Sequence, residues 1–158
     1  MPSAKPRTFP PQKRQDLHSI GEAASLVGVS IPTLRLYERE GLVIPRRKPS
    51  RHRLYSRDDI ERVKCLRRVI NEKKISIQGI KHLLAMTPCY QIKGCPGEVR
   101  ERCPAFRDAE RPCWLVEDRP APCSDAWCGD CPVYRDNADC TSVKSRMIAL
   151  FEAQGSRS

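Results

Sequence analysis

Residues 28–55 read GVSIPTLRLYEREGLVIPRRKPSRHRLY, and this stretch decides the fold. Gly28 suits the end of one helix, and only Val29 separates it from Ser30, which can cap the next helix. Two helices joined by so short a connection must meet at a steep angle, as they do in a helix-turn-helix. The second of them, residues 30–39, is predicted to be the helix that reads DNA.

Helix signals on both sides of this stretch predict a small helical domain over residues 17–86. The first helix begins at Ser19, since Ser19 and Glu22 have the spacing of a capping box and the apolar residues that follow repeat at helical spacing. A third helix is expected from Ser56 and a fourth from Ser76. The predicted fold class is mainly α, a winged helix-turn-helix followed by a loop-rich region.

A basic hairpin, the wing, is predicted directly after the reader helix. Val43-Ile44 and Leu54-Tyr55 would form its two extended arms, with the residues PRRKPSRHR between them. Arginines at such a tip suit backbone phosphates, and arginine or threonine on the helix suits base edges in the major groove. For Tyr37 a buried core ring is an equal alternative to a phosphate contact. The predicted DNA contacts are Ser30, Thr33, Arg35, Tyr37, Arg39, Arg46, Arg47, Arg51, Arg53 and Tyr55.

The basic charge is concentrated in one half of the chain. Residues 1–86 carry 19 Lys and Arg against 8 Asp and Glu, whereas the remainder is close to neutral. A concentrated positive charge attracts a polyanion through counterion release, so the predicted partner is double-stranded promoter DNA rather than a membrane surface. Residues 1–16, rich in proline and basic side chains, are expected to be a disordered arm.

The combination of spaced motifs resembles the MerR family of bacterial transcription regulators. It comprises TLRxYExxGL from Thr33 to Leu42, then Pro45, RxY at Arg53 and Tyr55, Asp58 or Asp59, and SIxxI from Ser76 to Ile80. The resemblance covers residues 17–86 and implies a winged helix-turn-helix that binds an inverted-repeat operator as a homodimer. It also implies regulation by distortion of promoter DNA between the contacts of RNA polymerase, which would be an indirect partner. On this resemblance the reader helix is residues 30–39 and the wing is residues 46–55.

Two features depart from this family. Its wing usually carries a glycine before the RxY motif, where this chain has Pro49-Ser50-Arg51-His52, so a different turn is expected. Family members also usually continue from the fourth helix into a long dimerisation helix, and the prolines beyond Leu84 leave no room for one here. A final helix in residues 141–158 is expected either to replace that dimer contact or to pack within its own subunit.

Eight of the nine cysteines fall between Cys89 and Cys140. Their spacing, C-x5-C-x7-C-x9-C-x9-C-x4-C-x2-C-x8-C, contains no histidine, so a metal centre there would be held by thiolates alone. The segment CxxxxCxxC repeats part of the plant-type iron-sulfur spacing, which favours an iron-sulfur cluster over structural zinc or reversible thiol chemistry. Prolines interrupt residues 87–140 throughout, so this region is expected to be loop-rich and stapled by its metal. The predicted ligands are Cys113, Cys123, Cys128, Cys131 and Cys140, with Cys89, Cys95 and Cys103 as additional candidates.

The predicted function is regulation of transcription, controlled by redox or metal state through the cysteine centre. The alternative is an electron carrier or cluster-delivery factor with the winged helix as a partner-binding module, although a carrier has no need for several arginines at one tip. An enzyme is not expected, since there is no glycine-rich phosphate loop, no pair of carboxylates between apolar strands and no histidine near a candidate cysteine. The sequence shows no apolar run long enough for a membrane span and no secretory signal, so a cytoplasmic location is expected. Cys65, in the third helix, is expected to be a small apolar thiol.

Overall fold

A computed structural model describes residues 17–138 of the chain. The expected basic arm, Cys140 and the expected final helix lie outside the described residues. Within them the protein is mainly helical, with one small sheet, as the sequence predicts. Its elements in chain order are β1 (Leu17–Ser19), α1 (Ile20–Val27), α2 (Ile31–Arg39), β2 (Arg46–Arg47), β3 (Arg53–Ser56), α3 (Arg57–Glu72), α4 (Ile77–Ala85), α5 (Cys89–Lys93), α6 (Gly97–Arg102), α7 (Pro104–Arg107) and α8 (Pro132–Arg135). Short 3-10 turns lie at Cys113–Leu115, Cys128–Asp130 and Asp136–Ala138.

The four predicted helix starts are confirmed. Ser19, Ser30, Ser56 and Ser76 are the N-caps of α1, α2, α3 and α4, and each side chain accepts a hydrogen bond from a backbone N–H in the first turn. The capping box is complete at Ser19, because the Glu22 carboxylate also accepts a hydrogen bond from the backbone N–H of Ser19. These local bonds satisfy N–H groups that a helix end otherwise leaves without a partner, which is why the starts can be read from sequence.

The sheet differs from the predicted hairpin in its first arm. Its strand order is β1-β3-β2, and β2 pairs with β3 through Arg46 opposite Leu54. The expected arm Val43-Ile44 is not a strand, because its backbone is engaged elsewhere: the Ile44 N–H donates to the hydroxyl of Tyr134 over 2.8 Å. The outer strand β1 was not predicted, since three residues carry no clear alternation.

The tip of the wing closes through an arginine. The N–H of Arg51 donates to the carbonyl oxygen of Lys48 over 2.8 Å, which makes residues 48–51 a tight turn. Arg51 has a φ of 61°, in the left-handed region that favours glycine. The missing family glycine is therefore replaced by a side chain in the conformation that glycine would adopt more easily.

One hydrophobic core joins the winged helix to the cysteine region. Trp114, Val133 and Tyr134 belong to the same buried cluster as Leu34, in α2, and the α1 and α3 residues. The described part of the cysteine region is loop-rich, as expected, and its α-helices have four to six residues, with prolines at the first position of α7 and α8. None of the helices in the described part is long and apolar enough to cross a membrane.

Candidate DNA interface and thiol-lined cavity

The reader helix α2 has one buried face and one exposed face. Leu34 is fully buried, while the side chains of Arg35 and Arg39 are exposed. Ser30 caps the helix, and its hydroxyl also lies 2.8 Å from that of Thr33. The exposed face therefore carries two arginines and two hydroxyls at spacings suited to a groove of duplex DNA.

Two of the predicted contacts belong to the core. Tyr37 is 6% exposed and Tyr55 is 1% exposed, and burial raises the pKa of both phenols. Tyr37 follows the buried alternative that its position on α2 allowed. Tyr55 is placed in the core by the pairing of β3 with β1 on one side and β2 on the other. We therefore assign both rings a structural role and leave them out of the candidate DNA surface.

Glu38 ties the reader helix to the wing. Its carboxylate accepts a hydrogen bond from Arg47 at 2.8 Å and another from Arg53 at 2.5 Å, and its side chain is 12% exposed. The two arginines thus hold β2 and β3 against α2. Because a single carboxylate balances two guanidinium groups, this part of the surface keeps a positive charge.

Arg46 points away from Glu38 and contacts the cysteine region. Its guanidinium donates to Asp130 over 2.5 Å and lies 4.4 Å from the ring centroid of Trp127. Both partners flank Cys128 in sequence. Of the predicted wing arginines, Arg46 is therefore the one held by the segment that carries the candidate ligands.

The seven free cysteines of the described residues line one cavity. Its wall also includes apolar side chains from the shared core, Trp114, Val133 and Tyr134, together with Arg119. The cysteines are Cys89, Cys95, Cys103, Cys113, Cys123, Cys128 and Cys131. The fold thus brings together thiols that are spread over more than forty residues of sequence.

The cavity lowers the pKa of one thiol and raises that of three others, Cys95, Cys113 and Cys123. Hydrogen bonding with Cys113 is the first cause that lowers the pKa of Cys89 to about 7. The same bond, with burial, raises the pKa of Cys113, since that thiol is the donor. Arg119 donates from Nη1 to the sulfur of Cys128 over 3.0 Å.

The donor set fits a thiolate-bound centre. Every candidate ligand is a sulfur, which suits iron-sulfur clusters and zinc, and the wall is largely apolar, which shields such a centre from water. Within residues 17–138, no three His, Cys, Asp or Glu side chains form a group arranged to hold a metal ion. The thiols surround a space instead of converging on one point. Cys65 lies apart from them and is disulfide-bonded, which corrects the expectation of a simple apolar thiol.

Buried polar contacts join the cavity wall to the winged helix. The indole N–H of Trp114 donates to the carbonyl oxygen of Gly41 over 2.8 Å. The Tyr134 hydroxyl accepts from Ile44 and donates to the Asp59 carboxylate over 2.9 Å. The guanidinium of Arg62, almost fully buried, lies 3.8 Å from the Tyr134 ring centroid and donates to the carbonyl of that residue.

Sequence reasoning missed these joining residues. Arg62 belongs to an amphipathic helix, where a charged residue is normally read as solvent-exposed, and Arg119 lies in a loop with no motif. Trp114 and Trp127 stand next to cysteines in sequence, which gave the one available signal. Arg62, Trp114 and Trp127 have partners more than seventy residues away in sequence, whereas Arg119 contacts Cys128, nine residues away.

A comparison with known protein families identifies the winged helix-turn-helix part of the chain. A family profile described as MerR HTH family regulatory protein matches residues 18–87. This segment is a MerR-family helix-turn-helix domain. The family named from the motifs in the sequence is therefore confirmed over that range.

Three curated relatives each match a little under half of the chain. The heat shock protein HspR of Streptomyces coelicolor is 37% identical over 70 residues, which are 44% of this chain and 46% of that protein. The HTH-type transcriptional regulator HmrR of Sinorhizobium medicae is 38% identical over 69 residues, 43% of this chain and 46% of that protein. The heavy metal-dependent transcription regulator 2 of Rhizobium meliloti has the same identity and coverage. The chain spans about half the length of these relatives, and no solved structure matches it significantly.

Proposed function

We propose that this protein is a sequence-specific DNA-binding regulator of transcription, controlled through a thiolate-bound metal centre. The single observation that carries the proposal is the shared core, in which a MerR-family domain and a cavity lined by seven thiols are parts of one packed unit. A change at the thiols can therefore alter the reader helix or the wing without an intervening linker. The proposed role is regulatory and not enzymatic.

The proposed DNA surface consists of the exposed side of α2 and the wing. It combines groups that can inspect bases with groups that can hold phosphates, and the positive charge of the first half of the chain would draw the duplex in. Its residues are Ser30, Thr33, Arg35, Arg39, Arg46, Arg47, Arg51 and Arg53. The regulators among the relatives are consistent with a promoter as the duplex.

An iron-sulfur cluster is the centre that we propose, with zinc as the alternative. Thiols that surround a cavity suit a cluster of several metal atoms, whereas a single zinc ion needs four ligands that converge on it at ~2.3 Å. Of the ligands predicted from sequence, Cys113, Cys123, Cys128 and Cys131 line the cavity, as do Cys89, Cys95 and Cys103. The name of one relative, a heavy metal-dependent regulator, agrees with metal control of this type of protein.

A homodimer on an inverted-repeat operator remains part of the proposal, with RNA polymerase as an indirect partner. Two reader helices related by a twofold axis would meet successive major grooves of such a site. The expected contact through residues 141–158 lies outside the described residues. The mass of the complex on an operator-length duplex would measure its stoichiometry directly.

The test of the proposed function uses the full chain, purified without oxygen. We expect salt-sensitive and sequence-selective binding to promoter fragments from its own genome, together with iron, sulfide and visible absorption in the protein. Colourless protein with stoichiometric zinc would exclude the cluster and leave the regulator. Absence of salt-sensitive DNA binding in every metallation and oxidation state would exclude the regulator itself.

A further inference from the structure

The seven thiols of the cavity fall into two groups. Four of them pack against the hydrophobic core of the protein, namely Cys89, Cys113, Cys128 and Cys131. The other three line the same cavity without packing on that core: Cys95, Cys103 and Cys123. We call these the inner four and the outer three.

One of the inner four also has a polar contact, since Cys128 accepts a hydrogen bond from Arg119 over 3.0 Å. Cys131 is the residue before α8, whose Val133 and Tyr134 are 1% and 2% exposed. Packing on the core restricts the four thiols, and restricted ligands bind a metal with less loss of conformational freedom.

We infer that the inner four, Cys89, Cys113, Cys128 and Cys131, are the thiolates that hold the centre, and that the outer three are dispensable for holding it. This inference rests on the proposed function in that it takes a metal centre to be present. It changes the set expected from sequence, since Cys89, there an additional candidate, becomes a ligand and Cys123 does not, while Cys140 lies outside the described residues. The ligands would then come from three separate segments, α5, the 3-10 turn at Cys113–Leu115, and the turn that leads through Cys128 and Cys131 into α8.

The test is a set of seven Cys→Ser variants of the full chain, purified without oxygen. We expect each inner variant to lose at least three quarters of the bound metal, while Cys95→Ser, Cys103→Ser and Cys123→Ser keep at least three quarters. The metal-to-protein ratio and the visible spectrum are the readouts. An outer variant that loses as much metal as Cys113→Ser would overturn the assignment.

A second measurement covers inner variants that do not fold. The unaltered protein is alkylated before and after removal of its metal, and the modified cysteines are located by mass spectrometry. Protection that is lost with the metal should map to the inner four. Protection confined to outer cysteines, or no metal-dependent protection at any site, would overturn the assignment. DNA binding of the same preparation tests the regulator separately.

A different observation concerns the segment that contains Cys128 and Cys131. Residues 127–131 hold Arg46 of the wing on two sides, through the Asp130 carboxylate at 2.5 Å and the Trp127 ring at 4.4 Å. The Trp127 ring lies over Gly129, where a Cβ would overlap it, so the segment is closely folded on itself. We call residues 127–131 the clasp.

The clasp competes with DNA for the same group. A carboxylate on a guanidinium occupies the donors that would otherwise bind a phosphate, and it adds a negative charge that repels the duplex. Arg47 and Arg53 have their carboxylate partner, Glu38, inside the DNA-binding domain itself. Arg46 is thus the wing arginine whose release depends on the cysteine region.

We propose that the clasp is an autoinhibitory contact that withholds Arg46 from DNA. Because two inner thiols lie within it, a change in ligation at Cys128 or Cys131 moves Trp127 and Asp130 and so sets the affinity for DNA. This proposal also rests on the proposed function. It explains why a tryptophan, 40% exposed, stands beside the candidate centre.

The test compares Asp130→Asn with Asp125→Asn, an exposed acidic residue of the same loop that bonds to Ser124 instead. The two variants remove equal charge, but we expect Asp130→Asn to bind operator DNA about three- to tenfold more tightly and Asp125→Asn to change little, given the modest strength of exposed ion pairs. In an Arg46→Gln background the gain should vanish.

The outcomes distinguish failure of the clasp from failure of the proposed regulatory function. Equal affinities of Asp130→Asn and Asp125→Asn, with normal binding by the unaltered protein, would overturn the clasp and leave the regulator. A gain that persists in the Arg46→Gln background would also overturn it. No binding by any variant would remove the regulator and the clasp together. Metal content of Asp130→Asn should equal that of the unaltered protein.

Discussion

The indole N–H of Trp114 donates a hydrogen bond to the carbonyl oxygen of Gly41 over 2.8 Å. Gly41 follows the last turn of the reader helix, and Trp114 follows Cys113, an inner ligand candidate. One buried bond therefore connects the wall of the thiol cavity to the end of the helix that is proposed to read DNA. The edge-to-face contact of Trp114 with Tyr134, 5.3 Å between centroids, fixes the indole in this position.

Gly41→Ala should lower the free energy of unfolding by ~1–3 kcal/mol, because overpacking and a positive φ both disfavour the added methyl. Gly41 has a φ of 70°, and a Cβ there would overlap the side chain of Leu115. Gly21→Ala, in α1 with open space around it, is the control and should be neutral or slightly stabilising. Denaturant titration measures both. Equal stability of the two variants would mean that the cysteine region does not pack on Gly41 in solution.

Tyr134→Phe should destabilise the protein in a pH-dependent way. The hydroxyl stabilises the charged form of buried Asp59, whose pKa is nevertheless raised above the ordinary 3.8 because desolvation is the largest effect. Loss of the hydroxyl should cost ~1.5–3 kcal/mol where Asp59 is ionised. Above the raised pKa the full cost is expected, and it shrinks as the pH falls through that pKa and the carboxylate takes up a proton.

The measurement for Tyr134→Phe is the difference in unfolding free energy from the unaltered protein, taken at neutral pH and again near pH 4. Tyr90→Phe is the matched control, since its hydroxyl makes only a 3.4 Å contact with Gln91. A cost that is the same at both pH values would show that the Tyr134 hydroxyl does not act through Asp59.

Arg35→Ala should weaken binding to the cognate operator by ~1–3 kcal/mol and relax the base preference at one position of the site. Arg35 is exposed on α2 and has no structural contact to lose among the described residues. Competition binding against operators with single base changes measures the effect. Arg107→Ala, exposed on α7, is the control. Equal losses on every sequence would reassign Arg35 to a phosphate.

Arg51→Asn should reduce the salt dependence of DNA binding without unfolding the wing. Arg51 is exposed at the tip with a φ of 61°, and asparagine tolerates that conformation better than most residues. Removal of one phosphate contact should lower the slope of log K against log salt by about 0.9. Binding measured at several salt concentrations gives the slope, with Arg102→Asn on α6 as the control. An unchanged slope would remove Arg51 from the interface.

Local sequence signals were sufficient to predict most elements of the DNA-binding half of this protein. Serine caps and the glycine after α1 act over a few residues, so the helix starts followed from local spacing. The family of residues 18–87 was recognised from the resemblance of the combined motifs. The first wing arm was wrong for a reason that spacing does not contain. The Ile44 N–H is bound by Tyr134, ninety residues further along the chain.

In the cysteine region, tertiary contacts decided more of the structure than local sequence signals did. The sequence determined that its candidate ligands are all sulfur and that its helices are short, since cysteine and proline content decide both. Only the tertiary structure decided which thiols meet, because seven cysteines allow many groupings and the core selects among them through Val133, Trp114 and Tyr134. The hold on Arg46 likewise exists only in the folded chain, where Asp130 reaches it across 84 residues of sequence.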